Sequence, residues 1–437
     1  MNAFKPWKIL NIDLGKGLPS LQIDEGYQGL YIVFWWYSIP LGHREIPSAQ
    51  LPITSEQLAN LALQTITPVV SDRLLKQGLG GHSAELYQNS RIINSGQRGL
   101  MMFDQSLSKV HEYLSRPVDE SVSVIICTRD RSEQLAKCLR SVQDLSQHPE
   151  EILVVDNAPR SDSTRQLVAK MPRIRYILEP RPGLGVARNT GIRKSTGDIV
   201  AFIDDDVMVH PDWITRLLQG FNDPKVMAVT GLVLPMELET EAQFIFEKYW
   251  GFNRGYIALT FDSRFFEDHK TWGVPVWRIG AGANMAFRRK VFELVGSFDE
   301  RLGVGAAGCS EDSELWYRMI AEGWTCVYEP AAVVYHNHRR DTDSLEQQVY
   351  YYMRGHVAAL LIQFEKYRHL GNLLRLFIVL PAFYVKSFLT GTLKGFGQRR
   401  GTLPVEISGY LSGIKFYLNN RSYTGGSKVR DIMGIGS

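Results

Sequence analysis

Ile199-Val200-Ala201-Phe202-Ile203-Asp204-Asp205-Asp206 is the stretch whose reading decides the fold. Five apolar residues, rich in β-branched types, run straight into three carboxylates. A short apolar run bounded by turn signals is the pattern of a strand buried within a parallel sheet. Gly197-Asp198 opens the run, and Pro211 follows it. In open α/β sheets, ligands bind beyond the carboxyl ends of the strands. Three acids placed there repel one another and raise each other's pKa unless a cation lies among them. Asp-x-Asp at such an edge therefore points to a hard divalent ion with oxygen ligands. A solvated acidic loop is the plainer alternative for the triplet alone.

The flanking sequence supports the strand. Upstream, the segments 122–127, 151–156 and 174–179 are β-rich, and each is followed by a helical pattern. That alternation predicts βαβ units and a parallel sheet. Downstream, a helix is expected after Pro211, a strand over 226–231 and an amphipathic helix over 239–249. Gly280-Ala281-Gly282-Ala283-Asn284 reads as a glycine-rich turn into another strand. Ser310-Glu311-Asp312 opens a helix through Leu315, Trp316, Met319 and Ile320, which Gly323 stops. Ser310 is a good N-cap type, and acids in a first turn favour the helix dipole. Segments 325–330 and 332–338 read as two strands. No internal repeat or low-complexity tract interrupts the pattern.

Residues 1–117 read as a separate N-terminal accessory module. It has a strand from Gly29, a turn at Ile39-Pro40-Leu41-Gly42, and a capping box at Thr54-Ser55-Glu56-Gln57 ahead of a helix. The Gly/Ser/Asn-rich segment Gly78–Gly99 reads as a loop. No chemistry-bearing motif falls in this part, so a packing role is expected. Residues 118–340 form the regular α/β part, and 341–437 a basic helical tail.

A chain of 437 residues with a net charge of +3 has room for two or three domains and a large core. From Arg339 onward there are 14 Lys/Arg against 6 Asp/Glu, so about +8 sits in the tail. The apolar stretch 373–389 is broken by Arg375, Pro381 and Lys386. It suits an interfacial helix pair on an anionic membrane face, or a lid on the catalytic part. Its longest uninterrupted run, 376–385, is too short for a membrane span. The four cysteines form no CxxC pair, which fits a reducing compartment and argues against zinc. The N-terminus lacks a secretory pattern. A cytoplasmic protein, peripheral on the membrane face, is expected, without nucleic acid as a partner. The first βα turn, Thr128-Arg129-Asp130-Arg131, has no glycine, so neither a GxGxxG nor a P-loop signature is present. A polar turn of this kind can bind a base and ribose, and Asp156 would end the next strand at the same edge.

Taken together, VSVIICTRDR, VVDNAP, EPRPGLGVARNTGI, IVAFIDDDV, GAGANMAFRR, GSFDERLG, SEDSELWYRM and EPAAVVYHNHR resemble the bacterial inverting family 2 glycosyltransferases of GT-A fold. The resemblance covers about residues 120–340. It implies a Rossmann-like, mostly parallel α/β sheet and a nucleotide-diphosphate sugar donor, with UDP the family's commonest carrier. It also implies Mn²⁺ or Mg²⁺ and one catalytic carboxylate. Thr128, Arg131, Asp156 and Arg188 match nucleotide-binding positions. Asp204 and Asp205 match ribose and metal-bridging positions, and Asp206 matches the acid that holds the metal on the diphosphate. His336 matches a further metal position, with His338 near enough to be confused with it. Gly282, Ala283 and Asn284 match the sugar-contacting turn, where Gly280 and Gly282 would let the backbone approach closely. Of the acid pair Glu311-Asp312, the resemblance assigns the general base to Asp312. The activity implied is transfer of a hexose to a glycan or lipid-linked acceptor in polysaccharide or cell-envelope synthesis. A processive synthase is less compatible, because no QxxRW motif is present. An inactive nucleotide-sugar-binding protein is the alternative from another class, and a nucleotidyltransferase would lack its Gly-rich first loop.

Overall fold

The structure is a computed structural model, and it describes residues 4–76, 96–394 and 402–421. Twelve strands are found among these residues: β1 (Trp7–Asp13), β2 (Gly29–Trp36), β3 (Ile39–Pro47), β4 (Val122–Thr128), β5 (Glu151–Asn157), β6 (Ile174–Glu179), β7 (Ile199–Asp204), β8 (Val207–Val209), β9 (Val226–Pro235), β10 (Leu259–Phe261), β11 (Asn284–Arg288) and β12 (Thr325–His336).

The main sheet runs β10-β12-β9-β11-β7-β4-β5-β6, with β8 paired to β12. The block β7-β4-β5-β6 is parallel, as the βαβ pattern predicts. Alternate residues face opposite sides. Ile125, Leu153 and Phe202 join one apolar cluster, while Val124, Ile126, Val154 and Ile203 join another. Both faces are therefore covered, which is why these strands read as unbroken apolar runs.

Parallel pairing continues beyond this block in β9 and β12, and antiparallel strands make the sheet mixed. β11 lies antiparallel between β7 and β9, and β8 and β10 pair antiparallel with β12. The reason is local: the Gly280–Ala283 turn delivers Asn284 opposite Ile203, at the carboxyl end of β7, so β11 runs back down the sheet. The two strands expected over 325–338 are one. β12 continues through a register shift between Glu329 and Val333, where Pro330 cannot donate to the ladder.

β1, β2 and β3 form a separate three-stranded sheet. The capping box forms: the Gln57 amide donates to Thr54 Oγ1 at 3.2 Å, and the Thr54 amide donates to Gln57 Oε1 at 2.8 Å. Most of the Gly78–Gly99 segment lies outside the described residues. Its last four residues instead open a helix, Gly96–Leu114, because Leu100, Phe103, Leu107, Val110 and Leu114 supply a buried apolar face at helical spacing. The N-terminal part does not stand apart from the main sheet. One apolar cluster includes Leu30, Phe34 and Leu63 together with Leu232, Phe244 and Trp316. Arg73 makes a buried ion pair with Glu329 at 3.2 Å.

The tail is helical: Thr342–Tyr367, a continuous helix Leu370–Thr390, and Thr402–Asn420. The first and third of these are joined by Tyr350 Oη and Ser412 Oγ at 2.6 Å. The sequence reading of the apolar run as too short for a span needs correcting. The helix Leu370–Thr390 has 21 residues and a mean hydropathy of 1.6, so by length and composition it could cross a membrane. Neither Arg375 nor Pro381 ends it. A π segment at Arg375–Val379 lies just ahead of the proline, and a widened turn of this kind accommodates a missing N–H.

Candidate active site

The carboxyl ends of β4, β5 and β7 meet at one edge. In-register pairing sets Thr128 beside Asp156 and Cys127 beside Asp204. Cys127, Thr128 and Asp204 open into a cleft of about 1070 Å³, which also receives Arg188, Gly282, Asp312 and His336; Asp156, expected at the nucleotide end, lies buried behind it. Asp205 is buried. It accepts from Thr128 Oγ1 at 2.7 Å and from Arg131 Nη1 at 2.9 Å, and the same Nη1 lies 3.2 Å from Asp206 Oδ2. Burial, and then the neighbouring Asp206, push the Asp205 carboxyl up to about 6, while Arg131 and Thr128 pull it down. Asp156 is also buried and accepts from Tyr176 Oη at 3.0 Å; burial raises its pKa.

Arg188 is the second organiser. It sits on the helix Leu184–Lys194, buried against the packed rings of Phe202 and Phe298. Nη1 donates to Glu311 Oε1 at 2.6 Å, and Nη2 donates to Asp204 Oδ1 and to the Gly282 carbonyl, both at 3.2 Å. One guanidinium thus ties the acid triplet, the glycine turn and the acid pair together. Asp204, expected among the metal ligands, gives its Oδ1 to this cation and lines the cleft. Among the described residues no three His, Cys, Asp or Glu side chains converge on one point.

Asp206 and His336 do converge. His336 Nε2 lies 3.5 Å from Asp206 Oδ1, while His336 Nδ1 lies 2.8 Å from His338 Nδ1. His338 Nε2 in turn lies 3.1 Å from Glu247 Oε2. A carboxylate only accepts, so His338 Nε2 carries a proton toward Glu247. Burial, reinforced by His338, depresses the His336 pKa to about 3. In the tautomer in which a neutral His338 accepts from His336 Nδ1, the His336 Nε2 lone pair faces the Asp206 carboxylate, and a divalent cation could sit between the two acceptors. Mg²⁺ and Mn²⁺ take few protein ligands when substrate phosphates complete the shell.

The acid pair departs from the helix-cap reading. Ser310 does not cap the helix Glu311–Ala321. It is left-handed at φ 72°, and its side chain caps nothing. Its Oγ lies 3.1 Å from Cys309 Sγ. A non-glycine residue in that conformation costs on the order of 1–2 kcal/mol and tends to mark functional sites. Glu311 is held by Arg188. Asp312 accepts from the Ser313 amide at 2.6 Å through Oδ1. Its Oδ2 lies 3.0 Å from where a Cβ on Gly282 would sit, so a side chain at that position would crowd it. Burial lifts both carboxyls, Glu311 to about 7, against the pull of Arg188.

Gly282 and Ala283 line the cleft, but Asn284 does not. Its buried side chain accepts from Trp213 Nε1 at 2.9 Å and donates to the Leu232 and Ala332 carbonyls at 3.0 and 2.9 Å. It braces β9, β11 and β12, so the sugar contact expected of it is corrected. The sequence reading missed Glu247, Arg254, Trp277 and Arg375. Only the amphipathic pattern around Glu247 carried any signal, and that signal was of helix, not of site.

Residues 123–296 match the family model described as "Glycosyl transferase family 2". The glucosyl-dolichyl phosphate glucuronosyltransferase of Haloferax volcanii is 30% identical over 188 residues, covering 42% of this chain and 57% of that protein. The succinoglycan biosynthesis protein ExoM of Rhizobium meliloti is 31% identical over 228 residues, 49% of this chain and 66% of its own length. The chain thus spans less than two thirds of these two relatives. A solved mannosyltransferase from Pyrobaculum calidifontis, in complex with GDP-Man and Mn²⁺, is 18% identical, covers 71% of this chain and 94% of that one, and has a TM-score of 0.45.

Proposed function

Because residues 123–296 match the glycosyl transferase family 2 model, we propose that the chain is a family 2 transferase of GT-A fold and transfers a sugar from a nucleotide-diphosphate donor to an acceptor hydroxyl, with inversion. The observation that carries this is the facing pair Asp206 Oδ1 and His336 Nε2, at the edge where Thr128, Arg131 and Asp205 are fixed. Asp206 and His336 would hold Mn²⁺ or Mg²⁺, which when bound neutralises charge on the leaving diphosphate. Thr128, Arg131 and Asp156 set the nucleotide end, and Arg188 fixes Asp204 and the glycine turn. Glu311 is engaged by Arg188, which leaves Asp312 to take the proton from the acceptor hydroxyl as it attacks the anomeric carbon. Single displacement requires no enzyme nucleophile. The named roles of ExoM and the Haloferax enzyme support a glycan or lipid-linked acceptor. We read the chain as three parts, 1–117, 118–340 and 341–437, with the first packed as a brace.

The test is a titration of UDP- and GDP-sugars with Mn²⁺ or Mg²⁺, followed by product analysis with acceptor present. Binding and turnover that both vanish in excess EDTA are expected; full activity in EDTA would sink the metal assignment. Binding without turnover would identify a nucleotide-sugar-binding protein instead. For location, we place the tail on the anionic cytoplasmic membrane face rather than as a closed lid, because Phe377, Ile378, Val385, Phe388 and Leu389 are exposed. Flotation with anionic liposomes at low salt should carry the protein upward, and protein left at the bottom would favour the lid.

A further inference from the structure

At its other end, the cleft is built differently. Arg375 begins the π segment of the Leu370–Thr390 helix, and its guanidinium lies 4.1 Å from the centroid of the Trp277 ring. Its Nε donates to His356 Nε2 at 3.3 Å, and the His356 ring stands edge-on to Trp277 at 5.3 Å. Burial holds His356 neutral, its pKa near 3. Arg254 approaches the same tryptophan from its backbone side. It donates to the carbonyls of Trp277 at 3.0 Å, Gly251 at 2.8 Å and Gly280 at 3.5 Å. Among the described residues, neither arginine forms an ion pair with a carboxylate. Burial alone lowers the Arg375 pKa, to about 10. Half-buried cations without counter-charges are unfavourable unless a ligand supplies the charge. Arg131 and Arg188, in the same cleft, do have carboxylate partners.

The helix bearing Arg375 also has two apolar sides. Leu380, Phe383 and Tyr384 line the cleft, while Phe377, Ile378, Val385, Phe388 and Leu389 face outward. A cationic pocket thus adjoins an apolar surface on one element, and Asp312 opens onto the same cleft.

We infer that Arg375 and Arg254, set around Trp277 with His356, bind the phosphate of a lipid-linked acceptor whose hydrocarbon chain leaves along the Leu370–Thr390 helix. Phosphate oxygens would complete the two guanidinium shells, an interaction that suits arginine's planar donors. The acceptor hydroxyl would then reach toward Asp312. This site rests on the transferase reading and names its acceptor class.

The test uses the full chain and three probes: decyl phosphate below its critical micelle concentration, inorganic phosphate and decanol, each titrated calorimetrically. Decyl phosphate should bind more tightly than either of the others. Arg375→Met should weaken it at least tenfold, and Arg375→Lys by less, with an unchanged melting temperature and unchanged Mn²⁺-dependent nucleotide binding in both. Equal binding of decyl phosphate by wild type and Arg375→Met would overturn the site, as would no binding by wild type. Equal affinity for inorganic phosphate would overturn the lipid assignment, and equal affinity for decanol the anion assignment. If the transferase reading itself is wrong, wild type shows no sugar turnover with nucleotide sugar, Mn²⁺ and acceptor present, a separate readout from the alkyl-phosphate titration.

Discussion

The two ends of the cleft solve the same electrostatic problem in opposite ways. At the donor end, acids outnumber cations, and Arg131 and Arg188 each hold two carboxylates. At the acceptor end, Arg254 and Arg375 lean on carbonyls, a neutral imidazole and an indole. The first arrangement is largely preset, because the protein supplies both signs of charge. The second awaits charge from outside. Donor-end substitutions should therefore break existing bonds, while acceptor-end substitutions should matter mainly once ligand is present.

The largest contrast is expected at Asp312. Asp312→Asn should lower kcat by about 10²–10⁴-fold while leaving metal-nucleotide affinity near that of wild type, because a base acts mainly in the transition state. Glu311→Gln should retain more activity. Near-normal turnover by Asp312→Asn beside a dead Glu311→Gln would move the base to Glu311.

A smaller effect is expected behind the metal position. Glu247 fixes the His338 tautomer, which fixes that of His336. Loss of such a partner typically costs about 10–100-fold in metal affinity. Glu247→Leu, which leaves His338 Nε2 no acceptor, should weaken Mn²⁺ binding, read by electron paramagnetic resonance of the free ion, in that range. Unchanged affinity would show that the histidine tautomer does not depend on it.

The smallest is a displacement along the pH axis. Burial raises the Asp312 pKa, and Glu311 titrates near 7. Below its pKa the base carries its proton and cannot accept another; above it the base is available. Activity should therefore be lost as pH falls, at a pH above the one at which an exposed carboxyl protonates. A pH–rate midpoint no higher than that of an exposed aspartate would contradict the buried-base geometry.

How much of this was readable in the chain depended on the distance over which each feature is determined. The IVAFI run, the alternation of strands and helices around it, and the Thr54 capping box are local, and all appear as read. Thr128 and Asp204–Asp206 reach one edge because strand ends carry them there, and Arg131 and Arg188 reach it from the turn after β4 and the helix Leu184–Lys194. The bracing role of Asn284 was hidden, since it depends on β9 and β12, strands far away in sequence. Ser310 misled for a different reason: its residue type favours a cap, but the tertiary setting around Cys309 forces a left-handed backbone. Arg375 looked like a defect in an apolar helix, and only the placement of Trp277 and His356 gives it a partner.

The thread from Asp206 through His336, His338 and Glu247 has one more member. Tyr31, on β2, donates its hydroxyl to Glu247 Oε1 at 3.2 Å. A residue from the first forty thus reaches, through three intermediates, the carboxylate assigned to the metal. A chimera that grafts 118–340 onto a foreign N-terminal partner would keep every motif of the family and still lose this last tether. A transplant lacking a hydroxyl at the Tyr31 position would leave Glu247 held from the His338 side alone, and the imidazole pair would lose one of its anchors.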